Sequence, residues 1–148
     1  MYKHILIATS GGDLGDRVVA HGLALAKSVK AKVTVVTVTE RWSALDMARE
    51  AQKGNLDPLN QFEAIAATVA KHILDAAAQK AKAVGMACDV VHVPDKHPAE
   101  GIISTAQEKG CDLIVMATHA RRGIDRLLLG SQAYEVLAHS KVPTLIVR

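Results

Sequence analysis

The chain has little of what marks a secreted, membrane-bound or metal-held protein. Only two cysteines occur in its 148 residues, Cys88 and Cys111, each beside a strand-like run and neither in a CxxC pair. Buried free thiols are therefore expected rather than a disulfide framework or a thiolate metal centre. Long apolar runs are missing too. The longest, such as Val33 to Val38 and Leu113 to Ala117, fall far short of the ~20 residues a membrane helix requires, so no membrane association is expected. The first residues, Met1 to Ala8, pass directly into a strand-like run without an apolar leader and cleavage site, which predicts a cytoplasmic protein. Charge of one sign is scarce. The 18 Lys+Arg and 15 Asp+Glu leave a net +3, and no block of five or six like charges occurs, so nucleic acid is not an expected partner.

What is present suffices for one ordinary domain. With 49% apolar and 22% charged residues, the chain can bury a core of its own. Five short runs rich in Val, Ile, Leu and Thr recur: His4 to Thr9, Lys32 to Thr39, Met86 to Val93, Asp112 to Thr118 and Val142 to Val147. Most are nearly continuous in hydrophobicity, as in strands covered on both faces, and segments of helical period lie between them. This predicts an α/β doubly wound domain with a five-stranded parallel sheet flanked by helices.

The first helix is predicted from about Asp13 to Val29, with Val18, Val19, Leu23, Ala26 and Val29 on its apolar face. A second starts at Asp57 as N-cap with Pro58 in its first turn. Its stripe runs Leu59, Phe62, Ile65, Ala66, Val69, Ile73 and Leu74, and it ends near Gly85. A third spans about Pro98 to Lys109 before Gly110, and a fourth begins near Ser131 with Ala133, Val136 and Leu137 inward. The stretch Glu40 to Asn55, with Trp42 and a short helix over Ala44 to Gln52, is expected above the carboxyl end of the second strand. In open α/β sheets ligands bind at that edge, where the strand order reverses, which directs attention to Ser10, Val38 and Thr118.

The stretch from Ala117 to Gln132 leads from the fourth strand into the last helix and carries Arg121, Arg122 and Arg126. Gly130-Ser131 opening a helix offers unpaired N–H groups and the positive end of its dipole, and guanidinium groups match phosphate oxygens. A capped helix after a solvated basic loop is the plainer reading of the same residues.

Over nearly the whole chain the sequence resembles the universal stress protein family. Nucleotide-binding members carry G-x-x-G, nine residues, then G-[ST] at this point. Here the register is Ala117-x-x-Ala120, nine residues from Arg121 to Leu129, then Gly130-Ser131. The opening Lys3 to Thr9, the stretches Thr118-His119, Arg121-Arg122-Gly123 and Leu127 to Ser131, and the closing Val142 to Val147 also look like the family. Both leading glycines are alanine, however, and the acid usual after the first strand is Ser10. An alanine at position 120 is strained by roughly 1 kcal/mol if the backbone there needs positive φ. A hydroxyl in place of the acid makes a weaker hydrogen bond to ribose or adenine.

The resemblance implies a Rossmann-like, adenine nucleotide alpha hydrolase-like fold and an adenine nucleotide ligand, ATP or AMP, with magnesium if the ligand is ATP. It puts the base near Ala8, Ser10 and Val38, with Met116 and Ala117 beneath it. The phosphates would lie along Ala120 and on Gly130, Ser131 and Gln132, with Arg121 among their cationic partners. It also implies a cytoplasmic stress-response protein that forms a homodimer through Val142 to Val147. The rival implication is a member without nucleotide, acting as a dimeric interaction module.

Other signals are weaker. Ser10-x-Gly12-x-x-Gly15 with Glu40 after the second strand approximates a dinucleotide fingerprint, but its first glycine is absent and a tight turn is the better reading. His92, Asp95 and His97 lie close in sequence without a zinc spacing. No Walker string or G-x-S-x-G elbow accompanies His119 and Ser131, so an enzyme is not expected; slow ATP hydrolysis is the remaining catalytic reading.

Overall fold

A computed structural model describes residues 1–118 and 130–148. In chain order its elements are β1 (His4–Ala8), α1 (Gly12–Val29), β2 (Lys32–Val38), α2 (Ala44–Gln52), α3 (Pro58–Ala83), β3 (Asp89–Val93), α4 (Pro98–Glu108), β4 (Leu113–Ala117), α5 (Ser131–His139) and β5 (Thr144–Val147). The strands form one sheet in the order β3-β2-β1-β4-β5, and every neighbouring pair is parallel. The order reverses between β1 and β4, which puts a crevice at the carboxyl ends of these two strands.

Alternation along each strand explains the near-continuous apolar runs. Ile5, Ile7, Val33, Val35, Leu113 and Val115 pack on one side with Val18, Leu23, Leu74 and Ala77 of α1 and α3. Leu6, Ala8, Val36, Ile114 and Met116 pack on the other with Ile102, Ala106 and Val136 of α4 and α5. Both faces of the sheet are thus covered, and a strand with two buried faces has no polar side to show in its sequence. Among the described residues, no helix is long and apolar enough to cross a membrane.

Several expectations need correction. The third strand starts at Asp89 rather than Met86, because the Met86 amide bonds the Ala81 carbonyl at 2.8 Å and closes α3, with Gly85 at φ 76°. The last strand starts at Thr144, after Pro143. Asp57 holds the N-cap position of α3, but its carboxylate accepts from Asn60 Nδ2 at 2.9 Å and caps no backbone amide. The apolar stripe assigned to α3 is fully buried only at Leu74. The helix buries Ala70, Leu74, Ala77 and Ala81, while Ile65 is 66% and Val69 52% exposed.

A helix of 26 residues is about 39 Å long, whereas a five-residue strand covers about 17 Å, so the first half of α3 overshoots the sheet. There it meets α2, whose N-cap Ser43 accepts the Asp46 amide at 3.1 Å. Leu137 is likewise outside the core, 46% exposed on α5.

Candidate functional site

At the switch point the first strand ends in Ala8 and Thr9, and the chain turns into α1 through Gly11 (φ 80°) and Gly12 (φ 71°). Positive φ at both positions is open to glycine and costly for other residues. Gly15 lets α1 approach the strand end, because a Cβ there would stand 2.5 Å from Thr9 Oγ1. The same hydroxyl accepts the Gly11 amide at 3.1 Å. The Ser10-x-Gly12-x-x-Gly15 pattern is therefore a tight turn and a close helix contact.

Across the crevice, α4 begins at Pro98 and packs on β2 at Gly101, where a Cβ would meet the Val38 methyls at 2.8 and 2.9 Å. Gln132, on the first turn of α5, reaches over and accepts the Ala99 amide with Oε1 at 3.0 Å. One side chain so ties the start of α5 to the start of α4, satisfying an amide that has no partner within its own helix. The Gly130 amide donates to Thr118 Oγ1 at 2.9 Å, and Thr118 donates its own amide to Val147 O at 3.2 Å.

These contacts enclose a cavity of about 280 Å³. Six of the residues singled out from sequence line it together: Ala8, Ser10, Val38, Met116, Ala117 and Gln132. Gly130 and Ser131 do not line it; they stand beside Gln132 as the N-cap and first residue of α5. Among the described residues no side chain caps that N-terminus, and Ser131 is exposed. Ala120 and Arg121 lie outside the described residues, as do His119, Arg122 and Arg126.

Thr9, Val36, Pro98, Ile102 and Glu40 also line the cavity. The signal for Glu40 was in the sequence, as an acid just past the second strand; for Pro98 and Ile102 it was the right-handed crossover that brings the start of α4 to this edge. The cavity is apolar along the strand ends and α4, where Ala8, Val36, Val38, Ile102, Met116 and Ala117 stand, and polar at Ser10, Glu40 and Gln132. An apolar slot with a few placed polar groups suits a small, largely apolar ligand oriented by a few polar atoms.

The three side chains weighed as metal ligands engage different partners. His92 Nε2 lies 2.6 Å from Thr39 Oγ1, Asp95 faces Arg41 at 3.6 Å, and His97 Nε2 is 3.9 Å from Glu135 Oε1. Both cysteines are free; Cys111 is buried as expected, but Cys88 only half-buried.

The sequence model of the Universal stress protein family matches residues 1–148. A universal stress protein of Thermus aquaticus is 31% identical over 156 residues, covering all of both chains. A crystal structure of a universal stress protein in complex with cAMP superposes with a TM-score of 0.69 at 28% identity, over 99% of this chain and 97% of that one. The universal stress protein from Archaeoglobus fulgidus in complex with dAMP shares the fold at a TM-score of 0.68 and 21% identity, over 99% of this chain and 98% of that one.

Proposed function

The chain belongs to the universal stress protein family, and from that premise we propose that it binds an adenine nucleotide at the carboxyl edge of its sheet, as a sensor ligand in a cytoplasmic stress-response protein. The observation that carries this reading is the cavity in which Ala8, Val38, Met116 and Ala117 meet Ser10, Glu40 and Gln132. A relative at 28% identity holds cAMP. The adenine ring fits the apolar part, between Val38 on one side and Met116 and Ala117 on the other. Ser10 and Glu40 are then the acceptors for ribose hydroxyls. Glu40 supplies the carboxylate that the family pattern has after the first strand and that Ser10 lacks.

At about 280 Å³ the cavity lies near the lower end of ligand pockets, about 300 Å³, so it encloses base and sugar rather than a whole nucleotide. The phosphates are left at the mouth, beside the first turn of α5, where Ser131 and the helix dipole favour negative charge. Arg121, Arg122 and Arg126 of the preceding segment supply guanidinium partners, and ATP would bring magnesium with its phosphates. Nucleotide that engages these arginines alters the surface offered to other proteins.

A second reading, a dimeric interaction module without ligand, is favoured by Ala117, whose methyl stands in the lining where family binders carry glycine. The test is to denature the purified protein and chromatograph what it releases, then to compare Ala117→Gly with Ala120→Gly. Adenylate in the released fraction, and affinity changed by less than about ten-fold in the double variant, support the nucleotide reading. Tight binding that arises only in the double variant supports the module.

Either reading includes a homodimer. β5 is an edge strand, with Leu145 exposed and its outer hydrogen-bonding groups facing away from β4. Antiparallel pairing of two such strands about a two-fold axis covers both edges. Leu145→Lys is expected to shift light scattering from dimer to monomer mass.

A further inference from the structure

A second cavity, of about 330 Å³, adjoins the first on the far side of Glu40, between the exit of β2 and the overshooting half of α3. Trp42 and Phe62 stack in its wall, ring centroids 4.8 Å apart and planes 9° from parallel. Glu40, Glu63 and Asp95 bring three carboxylates to the same lining, and among the described residues no lysine or arginine lines it. We propose that this cavity binds a small organic cation with an apolar body, an alkyl- or arylammonium, held between the Trp42–Phe62 pair and the carboxylates of Glu40 and Glu63.

The chemistry is complementary on both counts. Aromatic faces attract a cation through their quadrupole, best for indole, and most strongly where water is partly excluded. Carboxylates near the rings supply the counter-charge. Asp95 is already engaged by Arg41 at 3.6 Å, with both side chains exposed, so the pairing falls to Glu40 and Glu63. His92, also in the lining, has its pKa lowered by burial, which disfavours a competing cation there.

The side of the wall at the exits of β2 and β3 is held by hydrogen bonds. Thr39 donates its amide to Val93 O at 2.9 Å, accepts the Lys96 amide at 3.2 Å, and holds His92 Nε2 at 2.6 Å through its hydroxyl. Preorganised walls of this kind lower the ordering cost of binding. Glu40 lines both cavities, whereas Trp42, Phe62 and Glu63 are absent from the first cavity's lining, so these three report on the second cavity alone, and phosphate would be repelled here.

Trp42 is the chain's single tryptophan, so intrinsic indole fluorescence reports on this cavity. The probe is benzyltrimethylammonium, titrated at low salt and compared with benzyl alcohol and phenylacetate. The expected result is a saturable fluorescence change for the cation at millimolar concentration or below, with both controls weaker. Glu63→Gln should raise the dissociation constant about five-fold, and Phe62→Leu should raise it as well, both with unchanged circular dichroism. Adenylate affinity should be unchanged in Glu63→Gln, since that variant leaves the first cavity intact. Equal affinity for benzyl alcohol, an unchanged constant in Glu63→Gln, or no saturation overturns the proposal.

Discussion

Thr118, at the exit of β4, accepts the Gly130 amide at 2.9 Å across twelve positions of sequence. The bond ties the start of α5 to the end of the strand beside the cavity floor. The first turn of α5 so anchored carries Ser131 and Gln132.

Replacing Thr118 by valine keeps the shape and removes the acceptor. Stability is expected to fall by about 1 kcal/mol, as for one lost hydrogen bond. Adenylate affinity is expected to fall about five- to ten-fold, because the phosphate-facing turn loses its anchor. Thermal unfolding and titration calorimetry measure the two effects; a stability loss with unaltered affinity would separate α5 from the site.

Gly101→Ala should damage the same crevice from the other side. An exposed helical glycine changed to alanine gains about 1 kcal/mol, but here the new methyl would stand 2.8 Å from a methyl of Val38. Valine is stiff at χ1 and cannot swing aside cheaply. Overpacking costs about 1–3 kcal/mol, so the net expectation is a loss of stability together with weaker nucleotide binding. A more stable variant with unchanged affinity would contradict the contact.

Asp112 fixes the amino edge of the sheet: its carboxylate accepts the Lys3 amide at 2.8 Å and the His4 amide at 3.0 Å. Burial alone would raise its pKa, but those backbone donors outweigh burial and lower it. Because the folded pKa lies below the unfolded one, the carboxylate stabilises the fold above about pH 3.9 and that contribution is lost as pH falls through the folded pKa. Asp112→Ala is expected to lower the melting temperature at pH 7, with the gap to the parent protein narrowing as pH falls from about 3.9 through the folded pKa. A gap that stays constant to pH 2 would show that the carboxylate charge is irrelevant.

The thiols should react in order. Burial, with Asp112 beside it, pushes Cys111 up to about 11, while the half-buried Cys88 is raised by burial and by Asp89. At pH 8 only about one Cys111 in a thousand is thiolate, the reactive form. Native protein treated with a disulfide reagent is expected to modify Cys88 slowly and first, and Cys111 only on unfolding. Fast native modification in a Cys88→Ser variant would contradict the packing around Cys111.

Much of the fold was legible because its central strands β1, β2 and β4 are buried on both faces and its helices carry plain start and stop signals, Pro98 and Gly110 among them. The exit of α3 was not, because a residue such as Met86 reads as strand by hydrophobicity, while its amide is used to close a helix. Nor was the burial of α3, since periodicity shows which residues share a face but not how far the sheet extends beneath them. Val69 and Leu74 look alike in sequence, yet only Leu74 has the sheet under it. At the site, the strand-end residues Ala8, Val38, Met116 and Ala117 followed from topology and resemblance. The Gln132–Ala99 bond and the Trp42–Phe62 stack did not, because each joins elements whose relative placement depends on tertiary packing.

The central claim is that an adenine nucleotide occupies the crevice between β1 and β4. Isothermal titration of ligand-stripped protein with AMP and with ATP plus magnesium measures it directly. The expected result is saturable heat with one site per chain, lost or weakened at least about ten-fold when Ala8→Leu fills the apolar slot. No heat at millimolar nucleotide, or binding indifferent to that substitution, would contradict it.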